Sequence, residues 1–331
     1  MTTTETIAMN HSMQKKTDKV VKPLRMAVVG TGYLGRFHAQ KYQQLNQCGL
    51  VAICDVDKNR ATEIANELST TALTDHTELV GKVDAVSIAS PTTTHFTVAK
   101  DLLEAGIHVL VEKPMTVTIE EAQTLIDIAK AHSCVLQVGH LERFNPALLS
   151  VADQISAPIF IESHRLAPFT SRGADVNVVL DLMIHDIDII MHLVNAELTA
   201  IHANGSPVVS NATDIANARL EFSNGCVANV TASRVSGKTE RRMRFFQKDT
   251  YIAIDFQENT SRVCRVDRTA PDKEGIPAIN CDDANLEKGD AIKAEIEAFI
   301  YAINTDTRPL VSGEDGLRAL KTAIAIGEKL K

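Results

Sequence analysis

The chain has 331 residues, 44% of them hydrophobic and 23% charged, with a formal net charge of −8. That length suits about two domains of roughly 150 residues each, and the composition is that of a globular protein with a substantial core. The acidic balance argues against general nucleic-acid or anionic-membrane binding while leaving room for a local basic pocket, and no run approaches the ~18 apolar residues of a membrane span.

The opening "MTTTETIAMNHSMQKKTDKVVK" is polar and has no apolar h-region. It reads as a loose tail over residues 1–22 rather than a secretory signal, which leads to the expectation of a cytoplasmic protein. The six cysteines (Cys48, Cys54, Cys134, Cys226, Cys264, Cys281) show no CxxC pair and no close cluster. Free thiols in a reducing compartment are therefore expected, with Cys54 and Cys134 in buried strands.

From Leu24 short apolar runs alternate with helical segments. "RMAVVG" reads as a buried strand, followed by a helix from about Tyr33 to Leu45; "LVAICD" is a second strand and "KNRATEIANEL" a second helix. "DAVSIAS", "IHVLVEK" and "CVLQVG" are further Val/Ile-rich runs, separated by helical stretches around 95–105 and 119–132. This alternation predicts an α/β fold, with an N-terminal Rossmann doubly wound parallel sheet over 23–145.

The first strand–helix turn, "GTGYLG", places Gly30, Gly32 and Gly35 in G-x-G-x-x-G spacing, with Thr31, Tyr33 and Leu34 between them. Asp55 follows Gly35 by twenty residues, at the end of the second strand. In that context the motif predicts a dinucleotide site: Gly30 permits the tight turn, Gly32 the approach of a pyrophosphate, and Gly35 close helix packing. The helix N-terminus favours the phosphate charge. A carboxylate at Asp55 accepts bonds from a ribose 2′-hydroxyl and repels a 2′-phosphate, so NAD is expected over NADP, although Lys58 and Arg60 lie just downstream.

"SPTTTHFTVA" follows the next strand. Loops beyond the carboxyl ends of parallel strands line the ligand crevice, which places Ser90, Pro91 and Thr92 near the nicotinamide half of the cofactor. His95 is grouped with them, although a histidine inside a helix more often serves structure. The strand after that ends in "VEKPM", bringing Glu112, Lys113 and Pro114 to the same edge. An ammonium there can bind a substrate hydroxyl and, if burial lowers its pKa, exchange a proton.

After Pro146 the pattern changes. In "LDLMIHDIDII", residues 180–190, Asp181, His185 and Asp188 stand at i, i+4 and i+7, so a helix would align them on one stripe among apolar neighbours. Core packing alone does not require such a row. A metal site is the competing reading, since His185, Asp188 and His192 also share a face, but no complete ligand set is evident. "IFIESHRLAPF", "IANARLEFSNGCVANVTASRV", "RRMRFFQKDTYIAIDF" and "SRVCRVDR" read as strands, with Asn224–Gly225 a hairpin turn. The expectation is a C-terminal α+β domain over 146–331, with a large, mostly antiparallel sheet flanked by a helix over 178–194. Ile292, Ile296, Phe299, Ile300 and Ile303 give a helical apolar stripe, and a last helix spans about 313–330. A sheet of this kind can offer its second face to another copy, so a homo-oligomer, dimer or tetramer, is expected.

Arg234, Lys238, Arg241, Arg242 and Arg244 gather in one stretch, with Arg165 and Arg172 upstream. Arginines make bidentate contacts to phosphate, so a pyrophosphate-bearing substrate would account for the cluster; a solvated hairpin edge that discourages aggregation is the plain alternative.

The order of motifs, a Rossmann glycine turn, then E-K-P, then D-x-x-x-H in a second domain, resembles the Gfo/Idh/MocA oxidoreductase family over about residues 24–330, including the ending "RPLVSGEDGLRALKTAIAI". The resemblance implies that Lys113, Asp181 and His185 form the catalytic group. His185 would act as general acid/base, Lys113 would polarise the reacting oxygen, and Asp181 would orient the set within an interdomain crevice. "QVGHLERFNPA", "SHRLAPF", "RGADVNVVLDLMIHDIDI" and "NARLEFSNGCVANVTASRVS" are similar to a branch of that family that oxidises the C3 hydroxyl of UDP-N-acetylglucosamine, whose ketone a separate aminotransferase aminates for lipid A synthesis. That narrower resemblance adds His140, Arg143 and Arg165 as substrate-binding residues, beside Arg234 from the basic cluster. Many family members carry glycines before the aspartate where this chain has "DVNVVLD", so substrate preference does not transfer from sugar dehydrogenases at large. Two other readings stay open: the same chemistry on a free sugar, an inositol-type polyol or a tetrapyrrole, and a non-catalytic dinucleotide sensor.

Overall fold

A computed structural model describes residues 22–170, 176–269, 271 and 274–330. The expected tail before residue 22, and Arg172, lie outside the described residues. The chain forms two compact units. The first takes the described residues up to Leu141 together with Asp290–Leu317, and the second takes Glu142–Gly289 and the chain from Arg318.

The first unit is built on β1 (Leu24–Val29), β2 (Cys48–Cys54), β3 (Thr71–Leu73), β4 (Ala85–Ile88), β5 (His108–Glu112) and β6 (Leu136–Gly139), all parallel in the order β3-β2-β1-β4-β5-β6. Between them run α1 (Tyr33–Gln44), α2 (Lys58–Glu67), α3 (Thr92–Glu104) and α4 (Ile119–Ala131). All four residues of β4 and the last four of β1 are buried, as expected of parallel strands covered on both faces. The strand order reverses between β1 and β4, which in sheets of this type marks the ligand crevice. Of these strands only β3 was not anticipated; three residues are too few to show a pattern.

The division of the chain differs from a contiguous split at residues 145 and 146. A helix, α6 (Ala291–Thr305), belongs to the first unit, where Ile296, Phe299 and Ile300 are buried in one core with Met26, Tyr42, Ile53 and Leu110. Its start is fixed twice. The Asp290 side chain accepts from the Lys293 N–H at 3.0 Å and pairs with Lys41 on α1 at 2.6 Å.

The second unit holds an eight-stranded sheet: β7 (Phe160–Leu166), β8 (Leu198–Ser206), β9 (Ile215–Phe222), β10 (Val227–Ser233), β11 (Glu240–Gln247), β12 (Thr250–Asp255), β13 (Thr260–Asp267) and β14 (Ala278–Asn285), in the order β14-β13-β12-β11-β7-β10-β9-β8. Only the central β7–β10 pair is parallel. Period-2 burial along β7 and β9 turns alternate side chains to the core, where Ala218, Leu220, Val230 and Phe245 pack with Ile187 and Ile190 of α5 (Ile184–Val194). Asn224–Gly225 forms the expected β9–β10 turn, with Gly225 at φ 85° and the Gly225 N–H bonded to the Phe222 carbonyl at 2.9 Å. The sequence patterns did not reveal β8, whose end carries Asn204 and Gly205, or β14, whose side chains are almost all exposed.

The expectation that all six cysteines are free is corrected by this hairpin geometry. Register places Cys264 on β13 directly opposite Cys281 on β14, with Cα atoms 4.0 Å apart, and the two form a disulfide. Separation of 17 residues in sequence hid a contact that strand pairing makes immediate. Cys48, Cys54, Cys134 and Cys226 are free thiols. Cys54 ends β2 as expected, but Cys134 stands in the turn before β6 and is only half-buried.

Because α6 completes the core of the first unit, Phe299→Ala should remove about 3–5 kcal/mol of stability and weaken dinucleotide binding, although Phe299 lies far along the chain from the glycine turn. Chemical denaturation and cofactor titration of the variant check this; unchanged cofactor affinity with unfolding confined to the second unit would contradict it.

Candidate active site

The first βα turn is set by backbone contact. Gly30 has φ 86°, and a Cβ there would stand 2.4 Å from the Ser90 nitrogen. A Cβ at Gly35 would lie 1.9 Å from the Gly30 carbonyl oxygen. Both positions therefore require glycine, and the contact seats the first turn against the loop after β4. Gly32 differs, because a Cβ there would meet nothing within 4 Å. It precedes α1, whose N-terminus has no side-chain cap and no acid in its first turn, so its N–H groups and dipole are left for an anion. Tyr33, 67% exposed, and the half-buried Leu34 begin that helix.

Asp55 locks the turn from the side. Its Oδ2 accepts from the Thr31 N–H at 2.8 Å and the Thr31 hydroxyl at 2.7 Å, and its Oδ1 accepts from the Asp57 N–H at 2.9 Å. Burial pushes its pKa up, but these hydrogen bonds and Arg60, 3.8 Å away, outweigh burial and hold it below the usual carboxylate value. Asp55 is thus a fixed negative charge beside the glycine turn. These residues fit a dinucleotide: an open glycine at an uncapped helix N-terminus, with a carboxylate beyond it for a ribose.

His95 turns out to join two of the expected cofactor loops. It is 1% exposed, and its ring nitrogens lie 2.8 Å from the Ser90 carbonyl and 3.0 Å from the Pro114 carbonyl. Burial lowers its pKa against the effect of those two carbonyls and the Glu112 charge. The helix histidine therefore has a structural task that serves the site, holding the Ser90–Pro91–Thr92 turn to the E-K-P segment. Lys113 is half-buried at the end of β5, and His140 follows β6 with 1% exposure.

In the second unit, residues Val179–Met183 form a π-helical turn that runs into α5. The turn alters the simple i, i+4, i+7 stripe. Asp181 within it and His185 just after it are both half-buried, whereas Asp186 and Asp188 are 2% exposed. The structure therefore does not treat the row as one set. Asp188 is ion-paired with Arg143 at 3.1 Å, and His192 is exposed, so the alternative metal set of His185, Asp188 and His192 does not come together.

The sequence patterns did not single out Asp186, a buried partner of Arg165. Arg165 on β7 grips it in a two-pronged bond, Nε to Oδ2 and Nη2 to Oδ1, both at 2.9 Å, and reaches Glu142 with Nη1 at 2.7 Å. Burial lowers the Arg165 pKa, but the two carboxylates raise it above its ordinary value. Arg234 is likewise buried, donating to Asp214 at 2.8 Å and to the Val176 carbonyl at 2.6 Å. Among the other basic residues, Arg242 meets Asp255 at 2.7 Å, Lys238 meets Glu240 at 2.5 Å and Arg244 meets Glu162 at 3.3 Å. Arg241, 48% exposed, is only 3.8 Å from the Glu142 it shares with Arg165. The basic cluster is thus largely a set of ion pairs. Within residues 234–244 the one acid in the sequence is Glu240; Glu162, Asp214 and Asp255 come from elsewhere in the chain.

Replacing Arg165 by Gln should strand Asp186 and Glu142, and removing one partner of a buried pair costs about 3–5 kcal/mol. The expected result is a large loss of stability on denaturant unfolding. A variant of unchanged stability whose only defect is a raised KM would instead identify Arg165 as a phosphate ligand.

Comparison with known proteins agrees with this architecture. Residues 24–140 match the model of an oxidoreductase family with an NAD-binding Rossmann fold, and residues 159–252 match the GFO/IDH/MocA C-terminal domain. A UDP-N-acetylglucosamine 3-dehydrogenase from Acidithiobacillus ferrooxidans is 41% identical over 304 residues, covering 92% of this chain and 96% of its own. Its solved structure superposes with a TM-score of 0.86 at 40% identity, over 93% of this chain and 98% of that one. A myo-inositol 2-dehydrogenase from Thermotoga maritima is 27% identical over 93% of this chain and 96% of its own. With its glycine turn, E-K-P strand end and Asp181–His185 pair on this fold, the chain belongs to the Gfo/Idh/MocA oxidoreductase family.

Proposed function

We propose that the protein is an NAD-dependent dehydrogenase that oxidises the C3 hydroxyl of UDP-N-acetylglucosamine to the 3-keto sugar. The observation that carries this reading is the 41% identity, across 92% of the chain, to a protein named for that reaction. Oxidation of a secondary alcohol needs a hydride acceptor, a base for the hydroxyl proton and a group that steadies the oxygen. NAD, held by Gly30–Gly35, Asp55 and the Ser90–Thr92 turn, supplies the hydride acceptor. His185 takes the C3 hydroxyl proton, Lys113 donates a hydrogen bond to the same oxygen, and Asp181 orients His185. His140 and Arg143 contribute to the sugar site. NAD is favoured over NADP because the Asp55 charge would oppose a phosphate dianion.

For the diphosphate, Arg241 is the favoured cation, since its 3.8 Å separation from Glu142 leaves it less committed than Arg165 or Arg234. A nucleotide anchored far from C3 fixes the sugar in register, so remote binding energy serves the chemical step. The product ketone suits an aminotransferase partner on a route to lipid A. The enzyme works in the cytoplasm as a homo-oligomer. Among the described residues no helix is long and apolar enough to cross a membrane.

A panel of UDP-sugars, free N-acetylglucosamine and inositols, each supplied with NAD and followed by absorbance of the reduced cofactor, tests the substrate. UDP-N-acetylglucosamine should lead and the free sugar should be a very poor substrate. Preferential turnover of an inositol would move the chain to the polyol side of its family. Lys113→Ala and His185→Ala should each lower kcat by about 10²–10⁴-fold with NAD affinity retained; near-normal turnover in both would remove them from catalysis. Asp55→Ala should weaken NAD binding and relax discrimination against NADP, as measured by parallel titrations.

A further inference from the structure

Behind the E-K-P strand end, in the first unit, lies a buried polar group that the proposed reaction does not use. His38 on α1 and Glu295 on α6 are 1% and 0% exposed, and the Glu112 side chain at the end of β5 is 13% exposed. One ligand atom from each, an imidazole nitrogen and two carboxylate oxygens, lies within 4.8 Å of the other two. We propose that His38, Glu112 and Glu295 form a binding site for a divalent cation of the zinc class.

The two oxygens of Glu295 carry the argument. Both are buried and neither has a hydrogen-bond partner. A buried carboxylate without a partner is costly enough that it must acquire a proton or a cation. Burial, and the charge of Glu112 after it, push the Glu295 pKa well above the ordinary value. A proton alone leaves the geometry unexplained, because a neutral carboxyl still has to donate to an acceptor and none is within reach. The gap is the width of one small ion. Zinc bonds of about 2.0–2.2 Å to nitrogen and oxygen would draw all three groups together, and two carboxylates would neutralise its charge.

The surroundings of His38 support the same assignment. Its Nδ1 pairs with the Ser87 hydroxyl at 2.9 Å, and Ser87 in turn meets the Tyr42 hydroxyl at 2.5 Å. A second partner of this kind fixes the orientation of a ligating imidazole and leaves its other nitrogen for the metal. That other nitrogen, Nε2, is the one 3.3 Å from Glu112. On the far side, a Cβ at Gly139 would stand 3.0 Å from the Glu112 carboxyl, so glycine there keeps the space around this carboxylate open. An imidazole with two carboxylates and no thiolate suits zinc, or manganese at lower affinity. The ion would tie β5, one residue before Lys113, to α1 and α6, a bracing role within the dinucleotide-binding unit.

The test uses the full-length protein stripped with a chelator, then dialysed against zinc chloride or manganese chloride alone and analysed for metal by plasma mass spectrometry. The wild type should retain about one zinc per chain and melt at a higher temperature with zinc than without. Glu295→Gln keeps the shape and removes a charged ligand; it should bind zinc about 100-fold more weakly or worse, since even loss of an outer partner can cost that much. His38→Gln provides the same comparison through a different element if the first variant folds poorly. A wild type that stays metal-free with no zinc-dependent rise in melting temperature overturns the proposal, as does either variant binding zinc as the wild type does. Because the readout is metal content and melting, the result is independent of substrate identity.

Discussion

The dinucleotide-binding unit depends on one close approach of backbone to backbone. The turn after β1 must pass so near the turn after β4 that no side chain fits at Gly30, and α1 must leave that turn so tightly that none fits at Gly35. Once those contacts are made, the carboxyl ends of the parallel strands face one edge, where the uncapped N-terminus of α1 presents its N–H groups. Asp55 then fastens the turn through Thr31, and His95 fastens the neighbouring loop to the segment after β5. The chemistry attributed to Lys113 is thus a consequence of where the backbone is forced to end.

In the second unit the organising constraint is electrostatic. Burying an arginine between strands and a helix is tolerable only if carboxylates accompany it. Arg165 with Asp186 and Glu142, and Arg143 with Asp188, meet that requirement. They also sort the acids of the π-helical turn and α5 by burial. Asp186 and Asp188 are consumed inside the fold, while Asp181 and His185 are left less buried.

Much of this was legible in the sequence, for definite reasons. The parallel sheet announced itself through unbroken apolar strands, and the cofactor turn through glycines at fixed spacing after the first of them. The edges were harder. β14 hides because its side chains face solvent and carry no alternation, and the Cys264–Cys281 bridge depends on the register of that hidden strand. The return of α6 to the first unit was visible as an apolar stripe, but a stripe does not say which core it joins. Arg165 and Arg234 were read as phosphate ligands because a cluster of arginines looks available when acids 20 or more residues away are not yet in view. Charge in sequence is local, and charge in a folded protein is settled by pairing.

The proposed chemistry makes a demand on one hydrogen atom. If the enzyme oxidises C3, the hydrogen bound to that carbon travels as hydride while the hydroxyl proton leaves separately. UDP-N-acetylglucosamine carrying deuterium at C3, turned over with NAD, should therefore give reduced cofactor bearing the label, as read by mass spectrometry. Unlabelled reduced cofactor, with deuterium retained in the sugar, would show that oxidation occurs at another carbon and would contradict the account.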